Sequence, residues 1–393
     1  MNRRTVHRYS RPSSRNQPDL RELNSPEYLI VGGGLAGLYS AYRLAQAGRT
    51  FTLIEAANSA GGRIAAAPAP DACASVLDVG PTWFWPHQAR MQSLLQELEL
   101  SWYPQYTDGD ALYQMTQVGG PLRTAGAGAM LSYRLAGGMT ALITSLQEKL
   151  EANRLVLNTE ATAAERQDDH WTLSVRTHDG TGTYCGQNLV IAVPPRQVLR
   201  ALTPERWASP ELQSALRGQQ TWMAAQAKFV AAYAEPFWRA AGLSGDAFSR
   251  TGPLVEIHDA TDESAGIAAL FGFVGVPALQ RARIGTDRLG DACLRQLEAL
   301  FGSQASSPSY VTLKDWSVNS LIATRQDCEE APAHANFPRN VFRNELEALS
   351  VHLAGSEYAT AEPGYLEGAL ESSDRWLTAV VNKPELPTDK GSN

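Results

Sequence analysis

A short apolar run that breaks on glycines and continues as a helix constrains this chain more than any other feature. Tyr28-Leu29-Ile30-Val31 stops at Gly32-Gly33-Gly34, and apolar residues then recur at helical spacing through Leu35, Leu38, Ala41, Leu44 and Ala45 to Gly48. A second run, Phe51-Thr52-Leu53-Ile54, ends in Glu55. The pattern predicts strand, tight turn, helix and strand, a βαβ unit of about thirty residues in a buried parallel sheet. Gly32, Gly34 and Gly37 form GxGxxG at the turn, where missing side chains let backbone N–H groups, including those of Leu35 and Ala36, approach a pyrophosphate. Glu55, followed by Ala56, stands where a carboxylate accepts hydrogen bonds from both hydroxyls of an adenosine ribose. The unit predicts dinucleotide binding without separating FAD from NAD.

The rest of the chain predicts an α/β protein with a separate substrate-facing portion. At 393 residues it is long enough for about two domain-sized units. Leu155 to Leu157, Trp171 to Val175, Asn188 to Val193 and Trp222 to Tyr233 read as strands, and Arg288 to Phe301 as a helix. No fixed repeat period emerges, which argues against solenoids and propellers. A formal charge of -7 predicts no nucleic-acid partner. No run approaches the roughly 18 apolar residues of a membrane span, so a soluble protein is expected. Cys73, Cys185, Cys293 and Cys328 lack CxxC spacing, and the seven histidines lack ligand spacing, so neither disulfides nor a metal is expected. The cysteine usage and the want of an apolar stretch after the N-terminal arginines predict a cytoplasmic location, with residues 1–26 a flexible basic arm and 381–393 a flexible tail.

Just beyond Glu55, Ala60-Gly61-Gly62-Arg63-Ile64 resembles the second fingerprint of the amine oxidase flavoproteins. Further segments match in order: Asp78-Val79-Gly80-Pro81, Gly137-Gly138-Met139, Val190 to Pro195, Leu353-Ala354-Gly355-Ser356-Glu357 and Gly364-Tyr365-Leu366-Glu367-Gly368-Ala369, the last two resembling FAGTE and GYMEGA. The chain therefore resembles the flavin-containing monoamine oxidase family from about Glu27 to Arg375. The resemblance implies a Rossmann-like FAD-binding domain (27–85, 136–200 and 340–380) interleaved with a mixed α+β substrate-binding domain (86–135 and 201–339). It implies FAD contacts at Gly61, Gly62, Arg63, Gly80, Pro81, Thr82, Ala161, Gly355, Ser356, Glu357, Gly364, Tyr365 and Leu366. The N-terminal helix dipole at Leu366 would face the flavin's pyrimidine carbonyl.

Lys228 lies inside an apolar strand seven residues before Glu235-Pro236-Phe237-Trp238, which resembles the family's EPFW segment. The resemblance makes Lys228 the lysine that holds a water beside the flavin, and Tyr365 one of two aromatic walls that orient the amine. Downstream of Trp316, where the family carries the second wall, the chain reads Ser317-Val318-Asn319-Ser320-Leu321-Ile322-Ala323-Thr324-Arg325-Gln326, with no aromatic. Trp83, Trp85, Trp316 and Gln326 complete the expected substrate pocket, which suits an amine or an amide-like substrate. The sequence around Cys328 lacks the small glycine pair that precedes a covalent flavin link, so noncovalent FAD is expected. The implied reaction is oxidation of a C–N bond to an imine, with molecular oxygen or an electron-transfer partner as acceptor and a homodimer compatible with the reading. Alternatives are a flavin-dependent desaturase, a porphyrinogen-type oxidase, or a non-catalytic flavin-binding assembly module.

Overall fold

The computed structural model describes residues 25–68, 76–116, 119–125 and 130–381. Residues 1–24 of the expected arm, 382–393 of the expected tail and Cys73 lie outside them. Five strands from distant parts of the chain form one parallel sheet in the order Val351–Leu353, Asn188–Ile191, Tyr28–Val31, Phe51–Ile54 and Leu155–Val156. Their side chains alternate between two cores, as the two-residue period of a strand requires. Ile30, Leu53 and Val190 pack with the helices Leu35–Gln46, Thr140–Glu148 and Leu366–Val381. Leu29, Val31, Ile54, Leu189 and Ile191 pack with an antiparallel three-stranded sheet (Glu160–Gln167, His170–Thr177, Gly180–Gly186) and the helices Pro195–Ala201 and Pro210–Gly218. The first and last of the three sheet-covering helices also meet through Ser40 Oγ and Ser373 Oγ at 3.2 Å, and Tyr39 donates its hydroxyl proton to Asp374 at 2.6 Å.

A seven-stranded mixed sheet forms the other large layer, in the order Tyr310–Asp315, Ala227–Tyr233, Ala268–Val274, Leu254–Asp259, Leu243–Ser249, Asp110–Gln114 and Leu122–Ala125. Ala227, Phe229, Ala231 and Tyr233 pack on the amphipathic helix Thr286–Phe301 through Leu289, Cys293, Leu297 and Leu300. The opposite face, with Val230, Ala232 and Phe271, meets Leu77 and Val79 of the N-terminal half. That alternation aims Lys228, in the same face as Val230, at the junction of the two layers.

The predicted βαβ unit is present from Tyr28 to Ile54, and the architecture is α/β with a Rossmann-like nucleotide-binding unit. The predicted strand at Trp222 to Tyr233 is corrected at its start: it begins at Ala227, and residues 221–226 form turns closed by Ala224 N–H to Thr221 O (3.2 Å) and Gln226 N–H to Met223 O (3.1 Å). Met223 has φ +60°, a left-handed conformation that no strand accommodates. No described helix is long and apolar enough to cross a membrane.

Candidate active site

At the nucleotide end, two glycine-rich segments are stacked. Gly61 N–H donates to Gly33 O at 2.8 Å, and Gly34 and Gly61 form a parallel bridge. A Cβ on Gly37 would lie 1.9 Å from Gly32 O, so the helix closes onto the turn only with glycine there. Gly37 thus lies beneath the turn and is absent from the cavity lining, a correction to its expected direct contact. Glu55 accepts hydrogen bonds from Gly33 N–H (2.6 Å) and Ala57 N–H (2.7 Å), which fix its carboxylate at the cavity edge. The helix Leu35–Gln46 has no acidic residue in its first turn and no side-chain cap at Gly34, leaving its positive end for an anion.

One cavity of about 980 Å³ runs from this turn to the seven-stranded sheet. Gly32, Gly34, Leu35, Ala36, Glu55, Ala56, Gly61, Gly62, Arg63, Gly80, Pro81, Thr82, Ala161, Gly355, Ser356, Gly364, Tyr365 and Leu366 all line it. An uncapped helix start, a position on Gly34 where a Cβ would meet nothing closer than 3.9 Å, and a trough of this length fit a bound dinucleotide of the FAD type.

Midway along the cavity, Arg63 donates to Glu357 at 2.5 and 3.1 Å, to Ser356 Oγ at 2.9 Å and to Trp222 O at 3.1 Å. Glu357 is fully buried and does not line the cavity, which corrects its expected direct contact with a cofactor. Its carboxylate instead holds the guanidinium, which does reach the cavity, and accepts the Trp222 N–H at 3.3 Å.

Lys228 is buried at the far end. Its ammonium donates to Gly80 O at 3.1 Å and to Thr82 Oγ1, and lies 4.0 Å from the centre of the Phe271 ring. Burial pulls its pKa down to about 7, against an opposing pull from Asp78. Asp78, which accepts the Met139 N–H at 2.9 Å, is raised by its own burial, partly offset by Arg134 and Lys228.

Tyr365, Trp83, Trp85 and Trp316 line the substrate half, whereas Gln326 does not. Gln326 is exposed on the helix Arg325–Glu329, with its amide on Glu330 at 2.6 Å, because the capping box of Thr324 and Asp327 starts a helix there, which corrects its expected place in the pocket. Asn319, Leu321 and Ile322 form that wall. The aromatic partner of Tyr365 comes from elsewhere: Trp222 lines the cavity with its ring 6.0 Å from that of Tyr365, backed by His334 stacked at 4.0 Å, while Trp85 meets Tyr365 edge-on at 5.5 Å. Sequence reasoning placed Trp222 in a strand and missed it. Its signal was a tryptophan six residues before the buried lysine. Cys328 is away from the cavity, with Sγ 3.8 Å from Ser317 O, in keeping with noncovalent cofactor binding.

Comparison with known proteins agrees with this geometry. The family model described as "Flavin containing amine oxidoreductase" matches residues 111–376, and that of the "NAD(P)-binding Rossmann-like domain" matches residues 30–98. A relative from Dictyostelium discoideum, "Probable flavin-containing monoamine oxidase A", is 27% identical over 266 residues, covering 64% of this chain and 53% of its own. The chain thus spans about half the length of the curated relatives it matches. In fold it is similar to a putrescine oxidase double mutant (TM-score 0.76, 19% identity, 91% of this chain and 99% of that one). It is also similar to cyclohexylamine oxidase from Brevibacterium oxydans IH-35A (TM-score 0.75, 18% identity, 91% and 99%). With its model covering well over half of the sequence, the chain belongs to the family of flavin-containing amine oxidoreductases.

Proposed function

We propose that the protein is an FAD-dependent amine oxidase that converts a C–N single bond to an imine, with molecular oxygen as electron acceptor and noncovalently held FAD. The observation that carries this reading is a buried Lys228, fixed by Gly80 O and Thr82, that lines the same cavity as the paired Tyr365 and Trp222 rings. When bound, FAD supplies the chemistry that removes two electrons and the α-hydrogen from the substrate and passes the electrons on to oxygen.

The protein's own residues supply position and charge. The helix start at Gly34 to Ala36, Glu55 and the Arg63 guanidinium would hold the cofactor's ribose and phosphates. The aromatic pair would orient an uncharged amine nitrogen and exclude water from it. Lys228, poised near neutrality, can hold or release a proton at Nζ beside Thr82 Oγ1. The reading carries a cytoplasmic location, which the spacing of the cysteines supports, and suits a monomer or a homodimer.

Anaerobic mixing of the flavin-loaded protein with a panel of primary, secondary and cyclic amines and amino acids tests this. Bleaching of the flavin absorbance by an amine class is expected, with slower bleaching or slower recovery in air for Lys228→Met. Bleaching only by a polyene or a porphyrinogen would overturn the assignment.

A further inference from the structure

The substrate end of the cavity is floored by one row of the seven-stranded sheet. Lys228 is directly opposite Lys314 on one side and Phe273 on the other, and Phe273 is opposite Glu256. Directly opposed residues share a face, and all four line the cavity. With strands about 4.8 Å apart, Lys314 stands about 5 Å to one side of Lys228 and Glu256 about 10 Å to the other. The row reads cation, buried lysine, aromatic ring, anion.

Both terminal charges are prepared for a ligand. Glu256 accepts from His258 Nε2 at 2.8 Å, while His258 Nδ1 meets Asp246 at 2.7 Å. Both ring nitrogens thus face carboxylate oxygens, which accept only, and an imidazolium satisfies both contacts. With Asp246 and His258 buried and Trp83 edge-on to the imidazole at 5.0 Å, the triad is rigid and carries one net negative charge, displayed on Glu256. The second Glu256 oxygen has no hydrogen-bond partner among the described residues. Lys314 extends over the Trp316 ring at 4.7 Å and forms no ion pair with a described carboxylate.

We infer that the substrate is a basic amino acid of the lysine type: its carboxylate on Lys314, the carbon–nitrogen bond to be oxidised between Lys228 and the Tyr365–Trp222 pair, its methylenes along Phe273, and its distal ammonium on Glu256. A simple monoamine cannot use both charges at once, and a simple diamine, with one ammonium on Glu256, presents its other amine rather than a carboxylate to Lys314. The assignment rests on the amine oxidation reading and specifies its substrate.

The test compares kcat/KM for free lysine, for norleucine, which lacks the distal ammonium, and for pentamethylenediamine, which lacks the carboxylate. It uses the flavin-loaded wild type, Glu256→Gln and Lys314→Met. The wild type should prefer lysine over each analogue by about 10- to 100-fold, the worth of one charged contact. Glu256→Gln should erase the preference over norleucine alone, and Lys314→Met the preference over the diamine alone. Asp246→Asn should weaken the first preference without touching the second, which a general loss of structure would not do. Equal turnover of lysine and either analogue by the wild type, or variants that leave both ratios in place, overturns the assignment. Anaerobic calorimetric titration with the three ligands keeps the two readings apart. If no amine is oxidised yet lysine binds with both dependences, the site stands and the oxidase reading falls, and if lysine binds no better than its analogues the site itself falls.

Discussion

Replacing Lys228 by methionine should make the folded protein's stability less dependent on pH in the alkaline range. A solvated lysine titrates near 10.5, and burial brings this one to about 7. At about 1.4 kcal/mol per tenfold change in proton affinity, the difference corresponds to about 5 kcal/mol, an upper figure because Asp78 titrates in contact with the same field. Between these two pH values the unfolded chain carries a proton that the folded chain has lost, so stability rises with pH across the window. Below about 7 the burial penalty on the ammonium is fully felt, and above 10.5 it is absent. Methionine occupies a similar volume and does not titrate. It also leaves Gly80 O and Thr82 Oγ1 without their donor, at a cost of about 1–3 kcal/mol that is the same at every pH. Urea denaturation of the two flavin-loaded proteins at intervals from about pH 8 to 10.5 should therefore show the wild type gaining about 2–4 kcal/mol on the variant. Two curves that remain parallel would mean that Lys228 stays protonated in the fold, and the reasoning from its burial would fail.

Three further outcomes follow from contacts described above. Gly37→Ala, whose Cβ would sit 1.9 Å from Gly32 O, should displace the helix start and cost about 1–3 kcal/mol, read as a lower melting temperature together with lost flavin on gel filtration. Arg63→Met strands the buried Glu357 carboxylate and should cost about 3 kcal/mol in urea, and adding Glu357→Gln should recover part of that loss while flavin affinity stays low. Trp222→Ala removes one wall of the pocket and should lower kcat/KM for the best amine by about tenfold with flavin content unchanged, measured by oxygen uptake.

The nucleotide half was legible because its signals are local. The glycine turn, the helix it opens and Glu55 all lie within about thirty residues, and glycine is required at Gly32 by its φ of +106° and at Gly37 by its close approach to Gly32 O. Lys228 was legible too, since an ammonium in an apolar strand is costly unless something is built around it. The substrate wall was not. Gln326 was expected in the pocket because it lies downstream of Trp316, but the local capping box places it on a helix away from the cavity. Trp222 faces Tyr365 only because the Arg63–Glu357 pair grips its backbone on both sides, a contact that joins three distant segments. The row of Lys314, Lys228, Phe273 and Glu256 depends on strand register, which no single strand's sequence specifies.

The parallel sheet draws its five strands from residues 28 to 353, and the helix Leu366–Val381 closes it by packing on Leu35–Gln46. In a chain emerging from a ribosome, the glycine turn is therefore made early, but the strand before it waits about 160 residues for its partner Asn188–Ile191, and the outer strand Val351–Leu353 and the last helix follow later still. Pairing at such separations is slow, because the loop-closure cost is met before the contacts repay it. The early βαβ segment exposes open strand edges throughout that wait, which makes it the part of the molecule most prone to association with other chains. A ligand that binds only the completed trough would draw the last helix into place, so the supply of the nucleotide during synthesis would set how much protein reaches the native state.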